Sequence, residues 1–410
     1  MTMRRRWYAG VMVAAVVGAG IAAGPVAAAG GWSAPVSLST PIPPTDVVGN
    51  PAIAVNASGA EVAAWYDQAA DGTQFVHVRT SADGSAWSAA TTLGHGIAPA
   101  VALAGDGRAV AVWWSLDGAG SVRASVRPPG GSWSAGVTVS PDAGSPKLGV
   151  DQSGDAIAAW SSSSVGLQTA SLPAGGAWTS PNTLATGLSD FDLAVNAGGT
   201  AVAAWTASGG SIVADYGSVL GGWAPPSTVA AAAYRQKGVH AAVNDAGQGA
   251  LAWRTRTGAK AATATPAGVW STPTVLVASQ GSGSVDVAID GAGNAAAVVV
   301  IYTSGGATFP VYVSRMPAGG GWGPPALLST LNDYAPAPQV VADPAGTFVA
   351  AWTDDNALSL RASTSPPGGG FGAPVVVGSN YGEFNPAIAP GRAVLMWTAG
   401  GATVSSEPVT

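Results

Sequence analysis

The chain of 410 residues has no cysteine, which excludes a disulfide framework, a thiolate zinc site and a lipid-modified N-terminal cysteine. Charge is scarce: 16 Lys+Arg and 22 Asp+Glu make up 9% of the residues, against about a quarter in an ordinary globular protein. Helical periodicity is missing, since no run of ten residues joins helix caps to an apolar stripe at i, i+3, i+4. No Gly-x-Ser-x-Gly elbow and no Walker Gly-Lys-Ser/Thr occurs, so the common hydrolase and nucleotide signatures are absent. What is abundant is glycine (58) and proline (30), a balance that invites suspicion of low complexity. The 47% apolar content and 16 Trp argue against disorder, which goes with low hydrophobicity and few aromatics.

Residues 1–29 read as a secretory leader: Arg4-Arg5-Arg6, an apolar run from Val11, then Ala27-Ala28-Ala29 before Gly30. Arg4-Arg5-Arg6-Trp7-Tyr8 loosely resembles a twin-arginine signal, and the general export route is the default. A retained anchor is the alternative, weakened by Gly18, Gly20, Gly24 and Pro25 within the run. Cleavage after Ala29 leaves residues 30–410, with 13 basic against 22 acidic side chains and a net charge of −9. That balance disfavours nucleic acid and anionic membranes as partners. The expectation is a secreted or cell-surface protein, not transmembrane once cleaved, and monomeric.

A repeat organises the mature chain. An apolar run, Asn or Asp, two small residues and Gly are followed by Trp six positions later, at Gly59/Trp65, Gly107/Trp113, Gly154/Trp160, Gly199/Trp205, Gly247/Trp253, Gly293/Val299, Gly346/Trp352 and Gly391/Trp397. The glycines are spaced by 45 to 53 residues, near 47 on average. A second aromatic series keeps step: Trp32, Trp87, Trp133, Trp178, Trp223, Trp270, Trp322 and Phe371.

Each unit reads as four short strands. In the first, Pro51–Asn56 alternates small and large residues, Asn56-Ala-Ser-Gly59 turns, and Glu61–Trp65, Phe75–Arg79 and Trp87–Leu93 follow. Such a unit repeated with glycine and aromatic punctuation is the pattern of a β-propeller blade. The expected fold is all-β: an eight-bladed β-propeller of four-stranded antiparallel blades over 30–410. Trp32–Leu38 would close the ring against Ala402–Val409, protecting sheet edges. An open stack of sheets is the runner-up.

The stretch Thr80-Ser81-Ala82-Asp83-Gly84-Ser85-Ala86-Trp87 resembles an Asp-box, the Ser-x-Asp-x-Gly-x-Thr-Trp turn of sialidase-like propellers, with the Asp-to-Trp gap one residue short. Later copies lose the Asp, as in Pro128-Pro-Gly-Gly-Ser-Trp133 and Pro317-Ala-Gly-Gly-Gly-Trp322. The resemblance implies a secreted bacterial-type propeller and a turn between the third and fourth strands. It also implies a sialidase apparatus of three arginines, a Tyr/Glu pair and an acid Asp. The early Arg-Ile-Pro motif of that apparatus is missing, and Glu61, Glu383 and Glu407 are the only glutamates.

Candidate chemistry gathers on the loops between strands two and three and between successive blades. Blade five stands out. Ala231-Ala-Ala-Tyr234-Arg235-Gln-Lys237-Gly leads in, and Arg254-Thr-Arg256-Thr-Gly-Ala-Lys260 follows Trp253. Arg254 and Arg256, two apart on an extended chain, should point the same way, with Tyr234 as a stacking platform. This set suits a carboxylate, sulfate or phosphate on a polymer; solvated rim charges are the plainer reading. Tyr334 and Tyr381 occupy similar lead-in loops and suit sugar rings. Asp354-Asp355-Asn356 offers calcium-type oxygens without a loop consensus.

The repeated Asn/Asp at 56, 151, 196, 244, 290 and 343 is explained by turn chemistry without any ion. His77, His95 and His240 fall in three blades, which speaks against a three-histidine metal site. No catalytic residue, metal or cofactor is assigned. The favoured reading is a non-catalytic, lectin-like binding or scaffold protein for extracellular polysaccharide or protein. The alternatives are a sialidase-like glycoside hydrolase using Asp333, Asp354 or Glu383, with carboxylates roughly 5–10 Å apart, and a purely structural surface protein.

Overall fold

The computed structural model describes residues 31–39, 47–118, 120–233, 236–278, 282–301, 308–330, 337–379, 382–399 and 401–408. The leader expected at residues 1–29 lies outside them. The described strands form eight antiparallel sheets of four strands in order, the fourth strand of one being split into Gly222–Trp223 and Ser227–Ala230. They are blades one (47–95), two (97–140), three (147–185), four (188–230), five (237–278), six (282–327), seven (339–379) and eight (384–408 with 36–37). No helix occurs among the described residues.

The first strand of each blade packs against the first strand of the next, and blade eight packs against blade one. The inner strands therefore surround an axis in a closed β-propeller. Closure uses both parts of the chain. Val36–Ser37 pairs antiparallel with Ala402–Pro408, with Val36 opposite Val404, and the Leu38 N–H donates to the Ala402 carbonyl at 2.6 Å. The pairing is shorter than the Trp32–Leu38 strand expected, while Trp32 itself packs against blade seven. On the lower face, Arg392 Nε of blade eight lies 2.7 Å from Glu61 Oε1 of blade one, and Arg392 Nη1 donates to the Asp83 carbonyl at 2.8 Å.

Both aromatic series fill the gaps between blades. The strand-two tryptophans Trp65, Trp113, Trp160, Trp205, Trp253, Trp352 and Trp397 are at most 4% exposed. Each faces the blade before it: Trp160 meets Val112 and Val122, and Trp253 meets Ala204 and Ile212. Farther out, Trp178, Trp270 and Trp322 also pack on the preceding blade, and Trp223 Nε1 donates to Thr169 Oγ1 at 3.1 Å. In blade six, Val299 replaces Trp and packs with Leu276 and Val277 of blade five.

Near the axis the fit is tighter. The inner-strand layer just above the lower turns is alanine at 54, 102, 194, 242, 288 and 387, glycine at 149 and valine at 341. A Cβ on Gly149 would stand 2.2 Å from Val195 Cγ2, so that crossing requires glycine.

The lower turns bear out the turn reading of Asn and Asp. Asn56 Oδ1 accepts from the Ser58 and Ala60 amides at 3.1 Å, and Asp290 Oδ1 accepts from Ala292 and Asn294 at 3.0 and 2.8 Å. The asparagines also tie blades together: Asn56, Asn196 and Asn244 donate through Nδ2 to the carbonyls of Ala104, Asn244 and Asp290.

Candidate functional site

The upper face carries the hairpins between strands two and three and the loops leading into each blade. At the junction of blades four and five it holds a cleft of about 370 Å³ lined by Ser189, Thr206–Gly210, Ala232, Ala233 and Gln236. That volume is at the low end of the roughly 300–1,000 Å³ of small-molecule sites. Two of its lining hydroxyls, Ser189 and Thr206, converge on Asp190. Thr206 Oγ1 and the Val239 amide donate to Asp190 Oδ1 at 2.8 and 3.2 Å, and Ser189 Oγ donates to Oδ2 at 3.0 Å. One wall is fixed by Gln236, which is 6% exposed. Its Nε2 donates to the Gly210 and Ala231 carbonyls at 2.8 Å each, and its Oε1 accepts from Trp253 Nε1 at 3.0 Å. A single amide thus joins the blade-four hairpin, the lead-in loop and the blade-five core.

The cations expected on blade five lie beside this cleft, in a different arrangement. Lys237 opens the inner strand Lys237–Val243 and stands directly opposite Arg254 on Gly249–Thr255. Arg254 lies over Gly238, whose φ is +64°; a Cβ there would be 3.0 Å from Nε. Arg256 does not alternate with Arg254 along a strand, because the strand ends at Thr255 and Arg256 occupies the tight turn before Gly258. Lys260 is not on the loop either. It sits within Gly258–Ala264, opposite Trp253. None of these four cations forms an ion pair among the described residues. Tyr234, Arg235, Tyr334 and Tyr381 lie outside the described residues.

The proposed acids fare differently. Asp333 is outside the described residues. Asp354 is 3% exposed, pairs with Arg361 Nη2 at 2.8 Å, and accepts from the Asn356 and Ala357 amides at 3.2 and 3.3 Å. It is committed to its hairpin. Glu383 is exposed, and its Oε2 accepts from the backbone N–H and the Nδ2 of Asn50, the latter at 3.0 Å. Asn50 has a φ of 45° and in turn accepts from the Ala98 amide at 3.2 Å, so it links blades eight, one and two.

Sequence reasoning missed a further set, in the lumen. One inner-strand register position, paired with the residue before each strand-two Trp, carries Lys147, Asp192, His240, Asp286, Gln339 and Asn385 in blades three to eight. In blades one and two it is Ala52 and Ala100. Lys147 Nζ lies 3.2 Å from Asp192 Oδ1, and His240 Nδ1 lies 3.9 Å from Asp192 Oδ2 and 3.3 Å from Asp286 Oδ1. Asp192 Oδ2 accepts from the Ala241 amide at 3.0 Å, and Asp286 Oδ2 from the Val340 amide at 2.9 Å. Asn385 Oδ1 accepts from Ile53 and Gln339 Nε2 donates to the Phe384 carbonyl, each at 3.0 Å.

The lumen charges shift one another. The Asp192 carboxylate raises the Lys147 ammonium, against the pull of desolvation. Burial pushes Asp192 up, but Lys147 and His240 together hold it below the usual carboxylate value. Desolvation pulls His240 down, yet its bond to Asp286 and the charges of Asp286 and Asp192 leave it above the ordinary imidazole value. The other two histidines form separate dyads, His77 with Asp67 and His95 with Asp117, each at 2.9 Å. Among the described residues no group of three or more His, Asp or Glu side chains is placed to hold a metal ion.

No protein-family model matches the sequence, and no curated protein is similar to it. Solved structures are similar in fold. A lectin from Burkholderia pseudomallei superposes with a TM-score of 0.58 at 13% identity, covering 80% of this chain and 99% of that one. A polysaccharide lyase, an ulvan lyase, gives 0.49 at 11% identity over 89% and 94% of the two chains. A sialidase from Streptococcus pneumoniae gives 0.41 at 10% identity, with 75% of this chain covering 65% of that one. The chain shares the β-propeller fold with the Burkholderia lectin.

Proposed function

We propose that this is a secreted propeller that binds anionic extracellular polysaccharide at the upper junction of blades four and five, without turning it over. The observation that carries the reading is the cation set beside the cleft. Lys237 faces Arg254, Arg256 tips the adjoining turn, and no carboxylate neutralises them among the described residues, whereas Lys147, Arg361 and Arg392 are all ion-paired. An exposed guanidinium without an internal partner is available to a sulfate or carboxylate, which it grips through two parallel N–H bonds. The cleft supplies hydroxyl groups on a wall pinned by Gln236, so little ordering is left for a sugar to impose. Likeness of fold to a lectin supports the same class of ligand. The commitment of Asp354 to Arg361 weighs against the hydrolase alternative.

The test is a binding array of neutral, carboxylated and sulfated polysaccharides with residues 30–410, beside a Lys237/Arg254/Arg256→Ala variant. Retention of anionic polymers by the parent and their loss from the variant is the expected result. Equal binding by both proteins would remove the site from blade five. Turnover of glycosides that disappears in Glu383→Gln would favour the hydrolase instead, and silence in every assay would leave a structural surface protein.

A further inference from the structure

We infer that the lumen chain Lys147–Asp192–His240–Asp286 makes ligand binding at the cleft between blades four and five proton-dependent, with binding strengthened when His240 is charged. The inference rests on the binding site proposed above and assigns that site a control. Of the residues lining the cleft, Ser189 belongs to the blade-four inner strand, Leu188–Val195, and Gln236 immediately precedes the blade-five inner strand, Lys237–Val243. Two carboxylates of the first hold the backbone of the second: Asp190 accepts from Val239 at 3.2 Å and Asp192 from Ala241 at 3.0 Å. Asp192 is also the middle of the lumen chain, so what neutralises Asp192 bears on how firmly these two strands, which lead into the cleft, are joined.

The groups facing His240 can be named on each neighbouring element. Asp192 comes from blade four, Asp286 from blade six, and Lys147 of blade three lies beyond Asp192. Lys237 precedes it on its own strand. With the imidazole protonated, two cations and two carboxylates alternate across four blades and the chain is neutral. With it deprotonated, Asp192 and Asp286 lose the cation between them and the chain carries one net negative charge. That charge rests on the carboxylates of the two blades flanking the one that carries the cations proposed to meet an anionic ligand, so both effects act in one direction. They loosen the junction, and they repel the ligand.

Burial favours the neutral imidazole, but the Asp286 bond and the two carboxylate charges outweigh it, so His240 titrates above about 6.5. A group raised in the folded state contributes stability that is complete below its unfolded value and is lost as pH rises through its folded value. The same sign applies to binding.

The experiment measures the affinity of the purified chain for dextran sulfate and for polygalacturonate from pH 5.5 to 9, together with Tm over the same range. It compares the parent with His240→Gln, His240→Lys and Asp286→Asn. The parent should lose at least threefold in affinity, and some Tm, between pH 6 and the folded value. His240→Gln should be flat, His240→Lys should keep its affinity at alkaline pH, and Asp286→Asn should move the midpoint toward acid. His240→Lys guards against a Gln variant that folds poorly. Binding with the same pH slope in all four proteins overturns this inference alone. Failure of the parent to bind either polymer at any pH overturns the blade-five site and the control with it, whereas a His240-dependent Tm slope then still identifies the chain as a proton-linked clasp.

Discussion

The Arg392 guanidinium of the last blade reaches the Glu61 carboxylate of the first at 2.7 Å, with Glu61 only 1% and Arg392 25% exposed. This pair crosses the seam at which the ring closes. Removing one partner leaves a charge with no compensation in a nearly dry place. Arg392→Met should therefore destabilise the chain, by somewhat less than the roughly 3–5 kcal/mol typical of breaking a fully buried pair. A Glu61→Leu/Arg392→Met double variant should recover much of that loss. Calorimetric Tm values for the two single variants and the double decide it, and strict additivity would show that the pair is not coupled.

Asp215 occupies a position where blades two, six and seven carry serine. Ser125, Ser314 and Ser363 each donate to a carbonyl nine residues on, at 2.7–2.8 Å. An ionised carboxylate cannot donate, and Asp215 Oδ1 is buried without a hydrogen bond. Burial pushes its pKa up to about 6. A carboxylate raised in the fold favours the folded state only while protonated, so stability falls as pH rises from about 4 to that value and then levels off. Asp215→Ser should raise Tm by a few degrees at pH 7.5 and by much less at pH 4. An equal gain at both pH values would contradict the assignment.

Gln236 directs the three hydrogen bonds of its side-chain amide to three different segments. Gln236→Ala leaves the Trp253 indole N–H and two carbonyls without partners, at about 1–3 kcal/mol for the group left buried and unpaired. We expect faster hydrogen exchange confined to 207–210 and 231–236, and weaker polymer binding, while the other blades stay protected. Protection unchanged across those segments would show that the amide is not what holds the wall.

Lys260 and Arg254 make a matched comparison. Both are cations of blade five, but Lys260 lies within a strand opposite Trp253 whereas Arg254 faces Lys237 at the upper edge. Arg254→Ala should cost about tenfold in affinity for a sulfated polymer, in keeping with one charge-assisted bidentate contact. Lys260→Ala should change affinity less than twofold. Raising NaCl from 50 to 500 mM should narrow the gap between Arg254→Ala and the parent, because exposed charges are screened. The salt series and the two variants need only a single titration format.

Much of the architecture was legible in the sequence because in every unit a glycine turn precedes the second strand and, in all but blade six, a tryptophan six residues later lies within it. Gly107 precedes Ala109–Ser115 and Trp113 lies inside it, and the pattern repeats around the ring. Strand bounds were less legible. Trp87 is held by an isolated bridge to Ser81, and the fourth strand is Thr91–His95, because the turn between strands three and four consumes the residues around Trp87. On blade five, the tight turn after Thr255 ends the alternation expected for Arg254 and Arg256, and Lys260 falls within the third strand, half-buried like Arg254.

The lumen set was missed although a signal existed. Lys147, Asp192, His240, Asp286 and Gln339 each stand thirteen residues before the strand-two position of Trp or Val, and Asn385 twelve before Trp397, where the last turn is shorter. Polar residues at one fixed offset in otherwise alanine-rich strands mark a shared layer. That inference needs the strands to be stacked around an axis, which pairwise reading of single motifs does not supply. The histidines were set aside as a metal set on the expectation that they fall in three blades; His77 and His95 in fact share blade one, and the carboxylates facing His240 lie on blades four and six.

The two-residue pairing of Val36 and Ser37 with the last strand has a mechanical meaning. Because the strands run antiparallel, the segment before Val36 and the segment after Val404 leave the pair on the same side. A pull that separates them breaks the bonds in turn, as a zipper opens, instead of loading them together in shear. The first packed side chain to be dragged out would be Trp32, 4% exposed against blade seven. Under tension between its two ends, the ring would part at this seam at low force, before any single blade began to unravel.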